Sequence, residues 1–327
     1  MAQLVFLLLA FVQAQTLTQL SSQTFESEME FKGVRLGGLS GLHYRDQVLW
    51  ALSDDRGGKA GDPRIYKFEL IESPDKKQWS VKPVDMIYLG EASGSKVLDP
   101  EAVYVFSDGR LLLSSEGDLN QKPRVAPMVR FWNPKDKWLK EISLPKQVLP
   151  EKTGLQTQGI SNNAGFESMT VSTDEKKLWM MSELPLFQNQ KSEIEIFEFH
   201  FEKKWKAKKT YSYKRDAAPE GKVEVLRGLS EALYWKDNHL LVFERYLRVE
   251  PNDPKSVGAT LYSVKLNEDG GVEKKKLLTL EQDLGANWEG LTRGPELSDG
   301  ARLLILVSDN NFEKKNLTRF LFYSFKE

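Results

Sequence analysis

The apolar positions of this chain follow one pattern written five times: an anchor residue heads a short apolar run, a polar turn follows, and a second apolar run closes on an acid. The copies are Gly38-Leu39-Ser40-Gly41-Leu42 to Ser53-Asp54-Asp55, Asp99-Pro100-Glu101-Ala102-Val103 to Ser115-Glu116, and Gly165-Phe166-Glu167-Ser168-Met169 to Ser182-Glu183. The last two are Ser230-Glu231-Ala232-Leu233 to Phe243-Glu244 and Trp288-Glu289-Gly290-Leu291 to Ser308-Asp309. The first anchors, Ser40, Glu101, Glu167, Glu231 and Glu289, lie 61, 66, 64 and 58 residues apart. Self-similarity at such a period marks a repeat architecture.

Each copy reads as strand, tight turn, strand. Ser107-Asp108-Gly109, Asp174-Glu175-Lys176, Lys236-Asp237-Asn238 and Ser298-Asp299-Gly300 stand at the turns, where residues that tolerate sharp backbone conformations are needed. Further apolar stretches supply the remaining strands: Ile65–Leu70 and Asp85–Leu89, Val129–Trp132 and Leu139–Ile142, Glu195–Phe201, Thr260–Lys265 and Lys276–Leu280. Helical periodicity is not sustained. Four-stranded units repeated about an axis predict an all-β fold, a β-propeller of five blades by repeat count. A sixth, degenerate blade stays open, because the third copy carries extra residues around Ala217-Ala218-Pro219-Glu220-Gly221.

Both ends of the chain are strand-like. The alternating stretch Thr24–Phe31 has no hairpin partner, and the fifth copy stops one strand short after Arg319–Phe325. Pairing the two termini would complete the last blade, so residues 15–327 are expected to form a single domain closed by the N-terminal strand.

Residues 1–14, Met-Ala-Gln-Leu-Val-Phe-Leu-Leu-Leu-Ala-Phe-Val-Gln-Ala, have the apolar core and small final residue of a secretory signal peptide, although the basic start is missing. An uncleaved anchor is the alternative, but the run is short for a bilayer. A periplasmic or secreted protein, with no membrane insertion after cleavage, is therefore expected. Composition narrows the chemistry further. The 46 basic and 47 acidic residues balance, so no global field draws the chain to nucleic acid. The absence of cysteine excludes disulfides, thiolate metal sites and a cysteine nucleophile.

A position that recurs once per blade falls at one radius and height, so the anchors predict two rings about the axis. The first holds Glu101, Glu167, Glu231 and Glu289, with Ser40 as the exception. The second holds Asp54 or Asp55, Glu116, Glu183, Glu244 and Asp309. Carboxylates converging on a channel repel, and either hold protons or recruit a cation. Calcium suits oxygen donors of this kind, whereas His43, His200 and His239 lack zinc-ligand spacing. A repeated glutamate can equally accept backbone N–H groups from the next blade, so the structural role stands beside the metal role.

Arg56 and Arg245 directly follow second-ring acids, where guanidinium would suit a phosphate or carboxylate ligand, and ordinary ion pairing explains them as well. The run Lys203–Lys209 reads as a solvated hairpin turn, and Trp50, Trp179 and Trp235 read as blade packing. The hydrolase motifs G-x-S-x-G and H-E-x-x-H and a phosphate-binding glycine loop are missing.

The stretches Gly38–Leu42 with Trp50–Arg56, Asp99–Ala102, Gly165–Met169, Ser182-Glu183 and Asn287–Leu291 together resemble the bacterial family named for the esterase-like activity of phytase, over roughly residues 33–325. The resemblance implies an exported propeller and calcium-assisted hydrolysis of phosphate esters. β-Propeller phytases bind calcium through clustered carboxylates, but their motifs do not align position by position here, and none of their catalytic residues is transferred.

The sequence therefore leads to an expected monomer acting on a small phosphate ester or other anionic ligand. Ring carboxylates would hold the ion, Arg56 and Arg245 would neutralise phosphoryl oxygens, and Glu167 or Glu183 would take a proton from water. The rival reading is a non-catalytic propeller that binds an envelope protein, a glycan or another ligand.

Overall fold

The computed structural model describes residues 15–56, 60–90, 99–189, 193–217, 223–250, 253–280 and 286–326. The expected signal segment, residues 1–14, and the centre of the third-copy insertion lie outside the described residues.

Five four-stranded antiparallel sheets stand in a ring, the arrangement of a β-propeller. After β1 (Thr16–Phe25) and a small hairpin of β2 (Glu30–Phe31) and β3 (Val34–Arg35), blade 1 takes β4 (Leu39–Arg45), β5 (Val48–Ser53), β6 (Arg64–Glu72) and β7 (Trp79–Tyr88). Blade 2 takes β8 (Pro100–Val105), β9 (Leu111–Ser115), β10 (Met128–Asn133) and β11 (Lys137–Glu141), and blade 3 takes β12 (Ser168–Val171), β13 (Lys177–Met181), β14 (Glu193–Phe201) and β15 (Trp205–Lys214). Blade 4 is β16 (Val223–Lys236), β17 (His239–Glu250), β18 (Asp253–Leu266) and β19 (Val272–Leu280). Blade 5 is β20 (Asn287–Glu296), β21 (Arg302–Asp309), β22 (Thr318–Lys326) and β1.

The turn residues read from the sequence carry the backbone that tight hairpins require. Gly109, Glu175, Asp237 and Gly300 all have positive φ, at 81°, 57°, 46° and 80°. Two expectations shift. The closing strand is Thr16–Phe25 rather than Thr24–Phe31, because Lys32 and Gly33 turn the chain at φ 53° and 76° and fold Glu30–Arg35 on itself. The lysine-rich run is a turn only in its first part. Glu202–Lys204 makes the hairpin bend, and from Trp205 the run continues as β15 with Trp205, Tyr211 and Tyr213 buried and Lys206 and Lys208 exposed.

Closure uses β1 twice. Its backbone pairs with β22 from Thr16 opposite Lys326 to Phe25 opposite Thr318. Its side chains meet the outer edge of blade 1: Ser21 Oγ donates to Trp79 O (2.7 Å) and accepts from Trp79 N (2.8 Å), and Gln23 does the same for Val81 (3.0 and 2.7 Å). An edge strand that would otherwise offer unpaired N–H and C=O groups is thus covered.

Five apolar clusters fill the five spaces between neighbouring blades. Trp132, Trp179 and Trp288 are fully buried in them, and Trp179 stacks on Tyr234 of the next blade at 5.3 Å between ring centroids. Fully burying an aromatic of this size is worth about 3 kcal/mol or more, so the blades are held by packing and their inner strands are free to carry polar groups to the axis.

Candidate metal centre

The inner hairpins fix a common register. Asp54 N donates to Gly38 O (2.8 Å), Glu116 N to Asp99 O (3.0 Å) and Glu183 N to Gly165 O (2.8 Å), while Gly228 pairs with Arg245 and Asn287 with Asp309. The equivalent second-ring residues are therefore Asp54, Glu116, Glu183, Arg245 and Asp309. The first ring is Ser40, Glu101, Glu167, Ser230 and Glu289. Blade 4 sits one residue out of the expected alignment, and its anchor is Ser230 with Arg245, not Glu231 with Glu244. The repeated Gly-Leu-Ser of residues 38–40 and 228–230 carries that register in the sequence.

This shift moves Glu231 and Glu244 out of the rings, and in blade 1 the ring position belongs to Asp54 and not Asp55. Glu244 is fully buried on the other side of its strand, between blades 3 and 4, where Arg227 Nη1 (2.8 Å), Tyr213 Oη (2.9 Å), Asp216 N (2.9 Å) and Lys274 Nζ (3.1 Å) surround it. Asp55 also points away from the ring. Its Oδ2 accepts from Ala60 N (2.8 Å) and Gly61 N (2.9 Å) and lies 3.3 Å from Arg64 Nη1.

Glu231 occupies the position that holds Gly41, Ala102, Ser168 and Gly290 in the other blades. Its carboxylate accepts from Ala232 N (2.9 Å), and the backbone N–H groups of Leu291, Met169 and Leu42, from three other blades, favour its charged form. Burial pushes its pKa well up, and those four donors pull against that shift. Buried and facing the inner strands of neighbouring blades, it lies apart from the carboxylates of the acidic end. Beyond it, a cavity of about 230 Å³ opens at the other end of the inner strands.

What converges at the acidic end is more compact than two full rings. Asp99, Glu101 and Glu116, all buried, offer carboxylate oxygens within 4.8 Å of one another. Ser40 Oγ donates to Glu101 Oε2 (2.9 Å) and Glu101 O (2.9 Å). Glu116 Oε1 accepts from Gly165 N, and Glu116 Oε2 is buried with no hydrogen-bond partner. Arg56 Nε lies 2.6 Å from Asp99 Oδ1, and its Nη2 donates to Asn163 Oδ1 at 2.7 Å. Sequence reasoning passed over Asp99. Blades 1, 3 and 4 have glycine there, and Gly228 has no room for a side chain because a Cβ would lie 2.5 Å from Glu183 Cγ. The acid in that slot is the signal.

Arg245 organises the opposite half. It bonds Glu183 and Glu289 directly, reaches Asn287 Oδ1 at 3.0 Å and stands 3.9 Å from Glu167 Oε1. Asp309 is buried and takes Asn311 N on Oδ1 (2.9 Å).

The electrostatics follow from this division. Burial lifts Asp99 to about 6 against the pull of Arg56, and burial with the charge of Asp99 lifts Glu116 to about 8. Glu101 is pushed well above the usual range by burial and by Glu167, Asp99, Glu116 and Asp54. Burial, Glu183 and Glu116 do the same to Glu167. Glu289 reaches about 7 through burial, opposed by Arg245. Burial works against the charge of Arg245, and Glu183, Glu289 and Glu167 more than reverse it.

The phytase-like family model, described as esterase-like activity of phytase, matches residues 34–312. The chain belongs to that family. No curated protein sequence matches this phytase-like chain. Among solved structures it is similar to the periplasmic gluconolactonase of Pseudomonas aeruginosa (12% identity, 89% of this chain and 86% of that one, TM-score 0.39). It is also similar to the α-L-arabinanase of Cellvibrio cellulosa (12%, 88% and 91%, TM-score 0.46). The third is the catalytic domain of the Coprinopsis cinerea GH62 α-L-arabinofuranosidase (10%, 94% and 97%, TM-score 0.46). Among the described residues no helix is long and apolar enough to cross a membrane.

Proposed function

We propose that this propeller holds a divalent cation on Asp99, Glu101 and Glu116 and hydrolyses a small phosphate ester at that end of the axis. The observation that carries the reading is the triad itself, three buried carboxylates within 4.8 Å, of which Glu116 Oε2 and, apart from its ion pair with Arg56, Asp99 Oδ1 lack hydrogen-bond partners. Carboxylates packed this closely away from water stay together only by keeping protons or by sharing a cation. The all-oxygen donor set favours calcium over softer ions. Membership of the phytase-like family supports a phosphate ester as the substrate class.

Calcium bound there would supply positive charge for a phosphoryl group and acidify water beside it. The residues of the chain divide the remaining work. Arg56, with a half-exposed side chain, is the cation placed to meet a phosphoryl oxygen from solvent, and Asn163 sets its direction. Arg245 is buried among Glu167, Glu183 and Glu289, so it fixes those carboxylates in place rather than touching substrate. Glu183 is bonded to that arginine. Glu167, which faces both Glu116 and Arg245, is the carboxylate left to accept a proton from water. Export guided by residues 1–14 would place the protein where millimolar calcium is available.

The test is a screen of phosphomonoesters and inositol phosphates with calcium-loaded protein. Turnover should require the ion and fall at least about a hundredfold in Glu101→Gln, the scale of losing one catalytic electrostatic group. Arg56→Ala should lower turnover more than calcium affinity. Calcium binding without turnover of any ester would replace this reading with a non-catalytic propeller that captures an anionic ligand.

A further inference from the structure

Blades 2 and 3 differ in reach, and the difference leaves a cavity. β10 and β11 have 6 and 5 residues, whereas β14 and β15 have 9 and 10, so the β14–β15 hairpin overhangs its neighbour. At that hairpin Phe201 faces Trp205 across the register with ring centroids 5.4 Å apart, and Phe201 is 48% exposed. Under the overhang lies a space of about 590 Å³ between the two blades, floored by Phe106 and Phe131 (centroids 5.5 Å apart) and walled on the blade 2 side by Leu139 and Ile142. A volume of this size is that of a small-molecule site, and four aromatic rings give it an apolar body.

The rim is cationic. Lys203 and Lys204 sit on the hairpin turn, Lys140 stands on the opposite wall, and Arg110 lies over the Phe131 ring at 4.9 Å. Among the described residues two carboxylates line the space: Glu175, held by Arg45 (2.7 Å) and by Ser107 N and Oγ (2.7 Å each), and the half-exposed Glu141, 3.9 Å from Arg130. Arg110 is itself paired with Asp108 (2.7 Å), so the net positive charge comes from Lys140, Lys203 and Lys204. Apolar floor and cationic rim together select an apolar molecule with one negative end.

We propose that this space is a second binding site, remote from the acidic end of the axis, for an amphipathic organic anion: a monomeric molecule with an aromatic or acyl body and a carboxylate or sulfonate head. The body would lie between Phe131 and Trp205, and the head would meet Lys203, Lys204 and Lys140. The concave shape between two blades admits a single molecule rather than a membrane surface. The site needs no metal and is independent of the hydrolase reading.

Two probes test it on the full chain in calcium-free buffer, 8-anilinonaphthalene-1-sulfonate followed by fluorescence energy transfer from tryptophan, and laurate as competitor against neutral dodecanol. The sulfonate should bind once per chain and be displaced by laurate, with dodecanol at least about tenfold weaker. Phe201→Asp, at an exposed position, should abolish binding with the melting temperature unchanged. Lys203→Glu with Lys204→Glu should weaken both anions about tenfold and leave dodecanol alone. Binding that survives Phe201→Asp, or anion and alcohol binding alike, would overturn the proposal, as would absence of saturable binding in the parent protein.

Discussion

Gly228 and Arg245 face each other across β16 and β17 at the register where Gly38 faces Asp54, Asp99 faces Glu116 and Gly165 faces Glu183. One blade thus contributes a cation where four contribute acids, and that cation holds Glu183 and Glu289 by direct hydrogen bonds. Replacing it with a neutral side chain, Arg245→Met, takes the cation from between the buried Glu183 and Glu289 and leaves Glu289, among the described residues, only the hydrogen bond from Asn287 Nδ2 (2.5 Å). Equilibrium urea unfolding should show a loss of about 3–5 kcal/mol in calcium-free buffer, the cost typical of breaking a buried ion pair from one side. A change within about 0.5 kcal/mol, the range of an ordinary surface substitution, would contradict the assignment.

Glu101 and Glu244 should respond in opposite directions. Glu101 is crowded by carboxylates, so Glu101→Gln should raise the stability of the calcium-free protein and abolish its stabilisation by calcium. Glu244 is surrounded by Arg227, Lys274 and Tyr213, so Glu244→Gln should cost about 3 kcal/mol and leave the calcium response intact. Thermal unfolding of both variants with and without calcium separates the two roles.

The axial carboxylate offers a chemical rescue. Glu231→Ala leaves Ala232 N without its acceptor and removes the carboxyl group that the N–H groups of Leu42, Met169 and Leu291 face. An unsatisfied buried donor costs about 1–3 kcal/mol, so the variant should unfold below the parent by at least about that amount. Added formate or acetate, small enough for the vacated space, should recover part of that loss where chloride does not. A variant as stable as the parent would show that the four donors do not depend on Glu231.

The pH dependence of the calcium-free protein has a defined sign. Unfolded aspartate and glutamate titrate near 3.8 and 4.5, while folded Asp99, Glu289 and Glu116 titrate at about 6, 7 and 8. Between about pH 4.5 and 8 the folded chain therefore keeps protons that the unfolded chain has lost. Stability present at low pH from these groups declines through that window and levels off above about 8. Calcium favours the ionised carboxylates, so saturating ion should flatten or reverse the slope. Unfolding midpoints measured across the window, with and without the ion, check both halves.

The closing strand is separable by deletion. Removing residues 15–25 strips the ladder from β22 and the Ser21 and Gln23 bonds from β7. The truncated chain should lose cooperative unfolding or associate through the bared edge, which size-exclusion chromatography would detect.

Blade number and hairpin turns were legible because each depends on a local pattern: an apolar period, and residues such as Gly109, Asp237 and Gly300 where φ is positive. The unpaired strand at each end announced closure. Registers of one residue were harder. Ser230 and Glu231 are adjacent, as are Glu244 and Arg245, and repeated acids aligned Glu231 and Glu244 where the strand register aligns Ser230 and Arg245. At Gly41 and Gly290, the positions equivalent to Glu231, an added Cβ would lie 2.7 Å from Glu101 O and 2.8 Å from Ser40 O of the neighbouring blade, a close approach between blades that a single repeat does not display. The lysines of residues 203–209 masked the alternation of Trp205, Tyr211 and Tyr213 that makes β15 a strand. Asp99, Glu101 and Glu116 all belong to the second copy, and Asp99 escaped notice because its slot holds glycine or asparagine in the other four copies, so nothing acidic recurs there.

The most direct measurement is isothermal titration of calcium into the calcium-free protein, the parent beside Glu101→Gln, Glu116→Gln and Glu244→Gln. The triad predicts saturable binding in the parent and in Glu244→Gln, lost or reduced at least about tenfold when either Glu101 or Glu116 is neutralised. Calcium binding that persists in both triad variants, or no binding in the parent, would contradict a metal centre built on Asp99, Glu101 and Glu116.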